Sequence, residues 1–240
     1  MFTAGVAAVA GAVAVVLISA GYDLGDPWLV AGLALVSALT ERARVTLGES
    51  IELSVALLPA LFAAVLFGPV AAMIVFGASM LCEAQLPPIG RALYSCMRSL
   101  TGATTGILTS LVAAHTGTGP GAIVVATAVG AIVAEFVDIS FSSIVFGLRG
   151  HGTPIRAFRQ YLPVVLASIP IYMPVVALLA IAYNQVSPLT LPLFFIPALA
   201  AQRWFVLYQA QRQLSEDLVT ANARLEKANL SFATALVATL

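Results

Sequence analysis

Residues 121–146 read GAIVVATAVGAIVAEFVDISFSSIVF. The run is long enough to cross a bilayer as one helix, which takes about 20 residues. Glu135 and Asp138 interrupt it, three positions apart and so on one helical face. Such carboxylates cost about 2.5–3.5 kcal/mol each on insertion scales, so they need a partner, a proton or a wet cavity. The same face carries Ala122, Ala126, Gly130 and Ala134, spaced so that another helix can approach closely. The helix is therefore expected to pack tightly in its first half and to face a polar zone in its second.

The rest of the chain is built alike. It has 240 residues, 60% hydrophobic and 9% charged, against about 25% charged in a soluble domain. Lipid is the expected solvent. Further apolar runs cover 2–20, 28–40, 54–67, 69–82, 98–114, 161–183 and 188–207. With 121–146 they make eight expected spans. The second, third and fourth are short, and an alternative count of six treats 54–82 as one broken or re-entrant element. The expected fold is thus an all-α integral membrane bundle.

All eleven basic residues then fall on one side: Arg42, Arg44, Arg91, Arg98, Arg149, Arg156, Arg159, Arg203, Arg212, Arg224 and Lys227. The opposite connections hold no Lys or Arg. Positive charge stays in the cytoplasm on insertion, so both ends of the chain are expected there. The formal net charge is zero, with no basic surface for nucleic acid. Cys82 and Cys96 near the cytoplasmic side read as free thiols. His115 and His151 lie in opposite loops and cannot share a metal, so no metal or cofactor is expected. Val45–Leu53 alternates polar and apolar residues around Gly48 and reads as a small cytoplasmic hairpin or extended flap.

Arg98, Thr101, Thr105 and Thr109 recur at helical spacing in the fifth span. Arg98 can neutralise Asp138 or Glu83, and Glu135, Asp138, Arg98, Thr101 and Thr105 make a candidate polar ligand site between the fifth and sixth spans. The alternative is a buried salt-bridge network without a ligand. Prolines 163, 170 and 174, then 188, 192 and 197, are expected to kink the last two spans. Ala4, Ala8 and Ala12 offer a close-packing face on the first span, within or between protomers.

After Leu207 the pattern changes. Positions 207, 211, 214, 218, 221, 225, 228, 232, 235 and 239 follow alternating spacings of four and three, and eight of the ten are apolar. That predicts a dimeric coiled coil with Leu214, Leu218, Leu225 and Phe232 on its seam. The expected division is a transmembrane sensor domain, 1–207, and a cytoplasmic signalling helix, 208–240. The helix reaches Leu240 without a stop signal, so a further domain is expected to follow.

The motif LFGPVAA at 66–72, the preceding flap, RALY at 91–94 and the tail ANLSFATALVATL at 228–240 resemble the N-terminal membrane region of bacterial HD-GYP-type signalling proteins. The resemblance implies an input module that relays a small-ligand or membrane signal to a cytoplasmic HD-type cyclic-dinucleotide phosphodiesterase. The catalytic His-Asp motif of that family is not in this sequence, so the chain itself is not expected to be an enzyme. The flap and the turn at 67–69 also resemble substrate-binding components of vitamin uptake systems, which implies a vitamin-like ligand and a transport role as the alternative.

Overall fold

The computed structural model describes residues 2–42, 45–47, 51–53, 56–83, 86–117, 119–150 and 152–238. Helices dominate: α1 (Phe2–Ser19), α2 (Pro27–Arg42), α3 (Leu57–Leu66), α4 (Gly68–Ala78), α5 (Pro88–Thr116), α6 (Pro120–Leu148), α7 (Pro154–Gln185) and α8 (Thr190–Ala238). Between α2 and α3, β1 (Val45–Leu47) pairs antiparallel with β2 (Ile51–Leu53), with Thr46 opposite Glu52. The centre of the expected flap, 48–50, lies outside the described residues.

Among the described residues, three helical stretches are long and apolar enough to cross a membrane: Phe2–Ser19, Pro120–Leu148 and Val165–Gln185. The apolar stretches in α2, α3, α4 and the start of α8 are shorter. The helix boundaries follow local chemistry. Asp26 caps α2 by accepting from the amides of Trp28 and Leu29, at 2.9 and 3.4 Å, with Pro27 as the first helical residue. Gly117, at φ +85°, ends α5. That helix starts at Pro88, ten positions before the apolar run that announces it, because its first turns are mixed in polarity and only Met97 among them is well buried.

The chain divides into two compact units, Met1–Pro197 and Ala198–Leu240. In the first, α3 and α4 form the centre. Leu61, Phe62, Ala63, Ala71, Ala72 and Val75 are all fully buried, at 0% exposure. Around them pack Val30 and Leu33 of α2, Ala131 and Ala134 of α6, and Val176, Leu179 and Ala180 of α7. The break between α3 and α4 is at Phe67 and Gly68, where Gly68 takes φ +82°. Phe67, Phe62 and Tyr183 meet edge to face there, with centroids 5.7–6.1 Å apart.

Helix α5 runs antiparallel to α4 at backbone distance. A Cβ on Gly102 would stand 2.5 Å from the Ala72 carbonyl oxygen, and one on Gly106 would meet the Pro69 backbone. The approach lets α5 hydroxyls reach carbonyls at and beyond the break. Ser99 Oγ donates to Met73 O at 3.0 Å. Thr109 Oγ1 lies 2.7 Å from Ala64 O, one of the last carbonyls of α3.

The small-residue face of α6 behaves as the spacing suggests: Ala122, Ala126 and Ala134 are buried, and Gly130 sits against Thr109 and Leu61. The small-residue face of α1 does not. Ala4, Ala8 and Ala12 are exposed in the single chain, so the reading of that face as packing within the protomer is corrected. Helix α1 instead turns Val13, Ala14 and Leu17 to Met73 and Ala103, because larger side chains fill the groove between α4 and α5.

Replacing Gly102 with valine should therefore force α5 off α4. We expect a loss of about 3 kcal/mol or more, in the range of overpacked cores, read as a lower melting temperature in detergent. The same change at Gly11 of α1, where a Cβ meets nothing within 4 Å, should leave it unchanged.

Candidate functional site

The close approach of α4 fixes the backbone of α5 at Gly102, and Arg98 lies one turn earlier on that helix. Its Nε is 3.2 Å from Asp138 Oδ1 on α6, and a terminal nitrogen is 3.8 Å from Glu41 Oε1 on α2. Glu41 is almost wholly buried, at 2% exposure, while Arg98 and Asp138 are at 19% and 32%. One guanidinium thus links three helices. Both are ion pairs, the 3.2 Å one short enough in distance for a hydrogen bond and the 3.8 Å one too long for it.

Glu135 faces differently from Asp138. Tyr172 donates its hydroxyl to Glu135 Oε1 at 3.1 Å, and Ser168 Oγ lies 3.4 Å from the same oxygen. Ser168 also stands 2.8 Å from Val165 O. A hydroxyl has one proton, so Tyr172 is the firm donor and Ser168 is shared between the carboxylate and its own helix. The two α6 carboxylates therefore hold opposite neighbours, Asp138 taking α5 and Glu135 taking α7.

Of the residues singled out from sequence, the structure brings Arg98 and Asp138 into contact and sets Glu135 one turn of α6 away. Thr101 and Thr105 are at 0% exposure, and their hydroxyls donate to Met97 O and Thr101 O of their own helix, at 3.2 and 2.8 Å. They fill the helix interface with satisfied hydroxyls. Lower on α5 and α6, Ser95 Oγ and Ser143 Oγ are buried without a hydrogen-bond partner among the described residues. Arg149 lies over the Tyr94 ring, 5.7 Å from its centroid.

Three members of the cluster were passed over in the sequence. Glu41 reads as a span boundary, although a carboxylate closing an apolar run was a second counter-charge for Arg98. Ser168 and Tyr172 are masked by the prolines around them, yet polar residues four apart in an apolar run mark one inward face.

No group of three or more His, Cys, Asp or Glu side chains that could hold a metal occurs among the described residues. Cys82 and Cys96 are free thiols. On α8, the seam residues Leu214, Leu218 and Leu225 are exposed in the single chain, and the Phe232 side chain lies outside the described residues. Comparison with family models, curated proteins and solved structures returns no match to this chain.

Removing the shared cation should be costly. Arg98→Ala withdraws a counter-charge from Glu41 and Asp138 together, and we expect about 3 kcal/mol of lost stability, as when one partner of a buried pair is removed. Arg98→Lys, which keeps the charge and loses the fork, should fall between. Thermal or denaturant melts of the purified protein check the order.

Proposed function

We propose that this chain is the transmembrane input module of a bacterial signalling protein. In this reading the bundle lies in the cytoplasmic membrane with both ends inside. A small ligand or a membrane state acts at the cluster of Glu135, Asp138 and Arg98, and residues 208–240 pair with a second copy to pass the change to an HD-type cyclic-dinucleotide phosphodiesterase. The observation that carries the reading is the tail. A long helix presents Leu214, Leu218 and Leu225 at heptad spacing, each 61–63% exposed in the single chain. An apolar stripe of that period needs a facing helix.

The polar cluster supports a sensing role over plain packing. Ionisable groups in apolar helices are expensive and are generally functional. Here they join α2, α5, α6 and α7, so an occupant that competes for any one partner changes the balance among four helices. A ligand shifts such a balance only by its differential affinity for the two arrangements.

The short central helices bear on the span count. At 1.5 Å per residue, α3 with 10 residues and α4 with 11 reach only about 15–17 Å each. A bilayer core is about 30 Å thick. Two half-length helices wrapped by protein suit a re-entrant hairpin, which lipid tolerates only when covered. Two short spans or one hairpin return the chain to the same face, so the sidedness of the basic residues is the same for eight spans or six.

The test is tail pairing in the full chain. With Cys82 and Cys96 replaced by alanine, a cysteine at Leu214 should form a disulfide between copies in lipid nanodiscs loaded with two chains. Leu218→Asn with Leu225→Asn should slow that reaction at least about tenfold, equivalent to about 1.4 kcal/mol of lost pairing. An unchanged rate contradicts the seam.

A further inference from the structure

Helix α7 is weakest where it meets Glu135. Pro163, Pro170 and Pro174 lie inside the helix. Each lacks the amide that would bond the carbonyl four residues earlier, so the carbonyls of Arg159, Leu166 and Pro170 lose their helical donors. All three prolines lie on the exposed face of α7. Ser168 and Tyr172 fall between the first and last of them, on the opposite, partly buried side. Within this stretch backbone bonds are missing on the outer side, and side-chain bonds to Glu135 hold the inner side.

The partition of roles along α6 sharpens the point. Asp138 has Arg98 at 3.2 Å, whereas Glu135 has the hydroxyls of α7. A donor arriving at Glu135 therefore has neutral hydroxyl donors, and no cation, to displace, and those bonds restrain the part of α7 with the fewest backbone bonds. Proline is also the usual site of sharp helix kinks, above about 20°.

We propose that Glu135 is the catch of a conformational latch on α7. Its Oε1 holds Tyr172, with Ser168 as the second contact, and a ligand that offers a hydrogen-bond donor in place of the Tyr172 hydroxyl frees the proline-bounded stretch to change its bend. The role of that ligand as a signal rests on the sensor reading above, whereas the mechanical coupling between Glu135 and the bend of α7 stands on its own.

The experiment measures the bend directly. Spin labels are placed on the full chain in nanodiscs at Val125→Cys on α6 and Val186→Cys just past α7, with Cys82 and Cys96 replaced by alanine. Val186 lies fourteen residues beyond Tyr172. A 20° change of bend over that arm moves it by about 5–7 Å. Tyr172→Phe, which keeps the ring and removes the donor, should shift or broaden the distance distribution on that scale, and Ser168→Ala should add to the effect. Ile171→Ala, on the exposed face at 70% exposure, serves as the control and should give the wild-type distribution. Glu135→Gln, which keeps an acceptor oxygen, should shift it less than Tyr172→Phe and guards against a Phe variant that folds poorly. A wild-type distribution in Tyr172→Phe overturns the latch, as does an equal shift in the Ile171 control. This distance reads the latch alone, whereas the tail disulfide reads the sensor, so each can fail without the other.

Discussion

The contact on which the bundle depends is the backbone approach of α5 to α4 at Gly102 and Gly106. Helices α3 and α4 are each short, and the break at Gly68 interrupts the helical run of bonds between them. A neighbour that comes close enough brings side-chain hydroxyls to their carbonyls. Two glycines one turn apart on α5 allow that approach; Thr109 on the same helix reaches Ala64 O while also lying near Gly106 O of its own helix, and Ser99 donates to Met73 O within α4. The glycines thus permit the serine and threonine contacts beside them.

From that contact the polar cluster follows. Once α5 is fixed at Gly102, Arg98 falls between α2 and α6 and meets Glu41 and Asp138. Helix α6 is held to α5 through Gly130 above and Asp138 below, which leaves Glu135 free to face α7. The helices combine close packing, at Gly102 and Gly106 of α5 and Gly130 of α6, with polar contacts through Arg98 and Glu135. The packing contacts are rigid, because a methyl group cannot be added to them. The polar contacts can exchange partners, because a guanidinium between two carboxylates and a hydroxyl shared between a carboxylate and a carbonyl both have second choices. This combination of a rigid centre and exchangeable edges fits the proposed sensing role.

Much of this was legible in the sequence. The apolar runs marked the helices because length and hydrophobicity dominate in such a chain. The partner of Arg98 was legible as Asp138 or Glu83, because only a few charges lie near the apolar runs and each needs a partner, and the structure places Asp138 there. The break at Phe67–Pro69 was legible from Gly-Pro chemistry. Other features were not. The first turns of α5 are mixed in polarity and carry no run to mark them. Glu41 sits where a helix end and a buried site give the same pattern. The Tyr172 hydroxyl contributes one atom to an otherwise apolar ring, so its bond to Glu135 depends on how α6 and α7 are placed in space. The face of α1 was legible only as one able to pack closely, because small-residue spacing does not say whether the partner lies within the protomer, which the structure corrects, or between protomers.

The central claim is that the polar cluster controls the state of the tail. The most direct measurement compares intermolecular disulfide formation through a cysteine at Leu225 in the full chain in vesicles, between the native cluster and Asp138→Asn. The substitution keeps the size of the side chain and removes the charge that Arg98 engages at 3.2 Å. The account predicts a changed rate of tail cross-linking at equal protein density, with the bundle still folded. An identical rate in a folded Asp138→Asn protein would show that the cluster and the tail are independent, and would contradict the account.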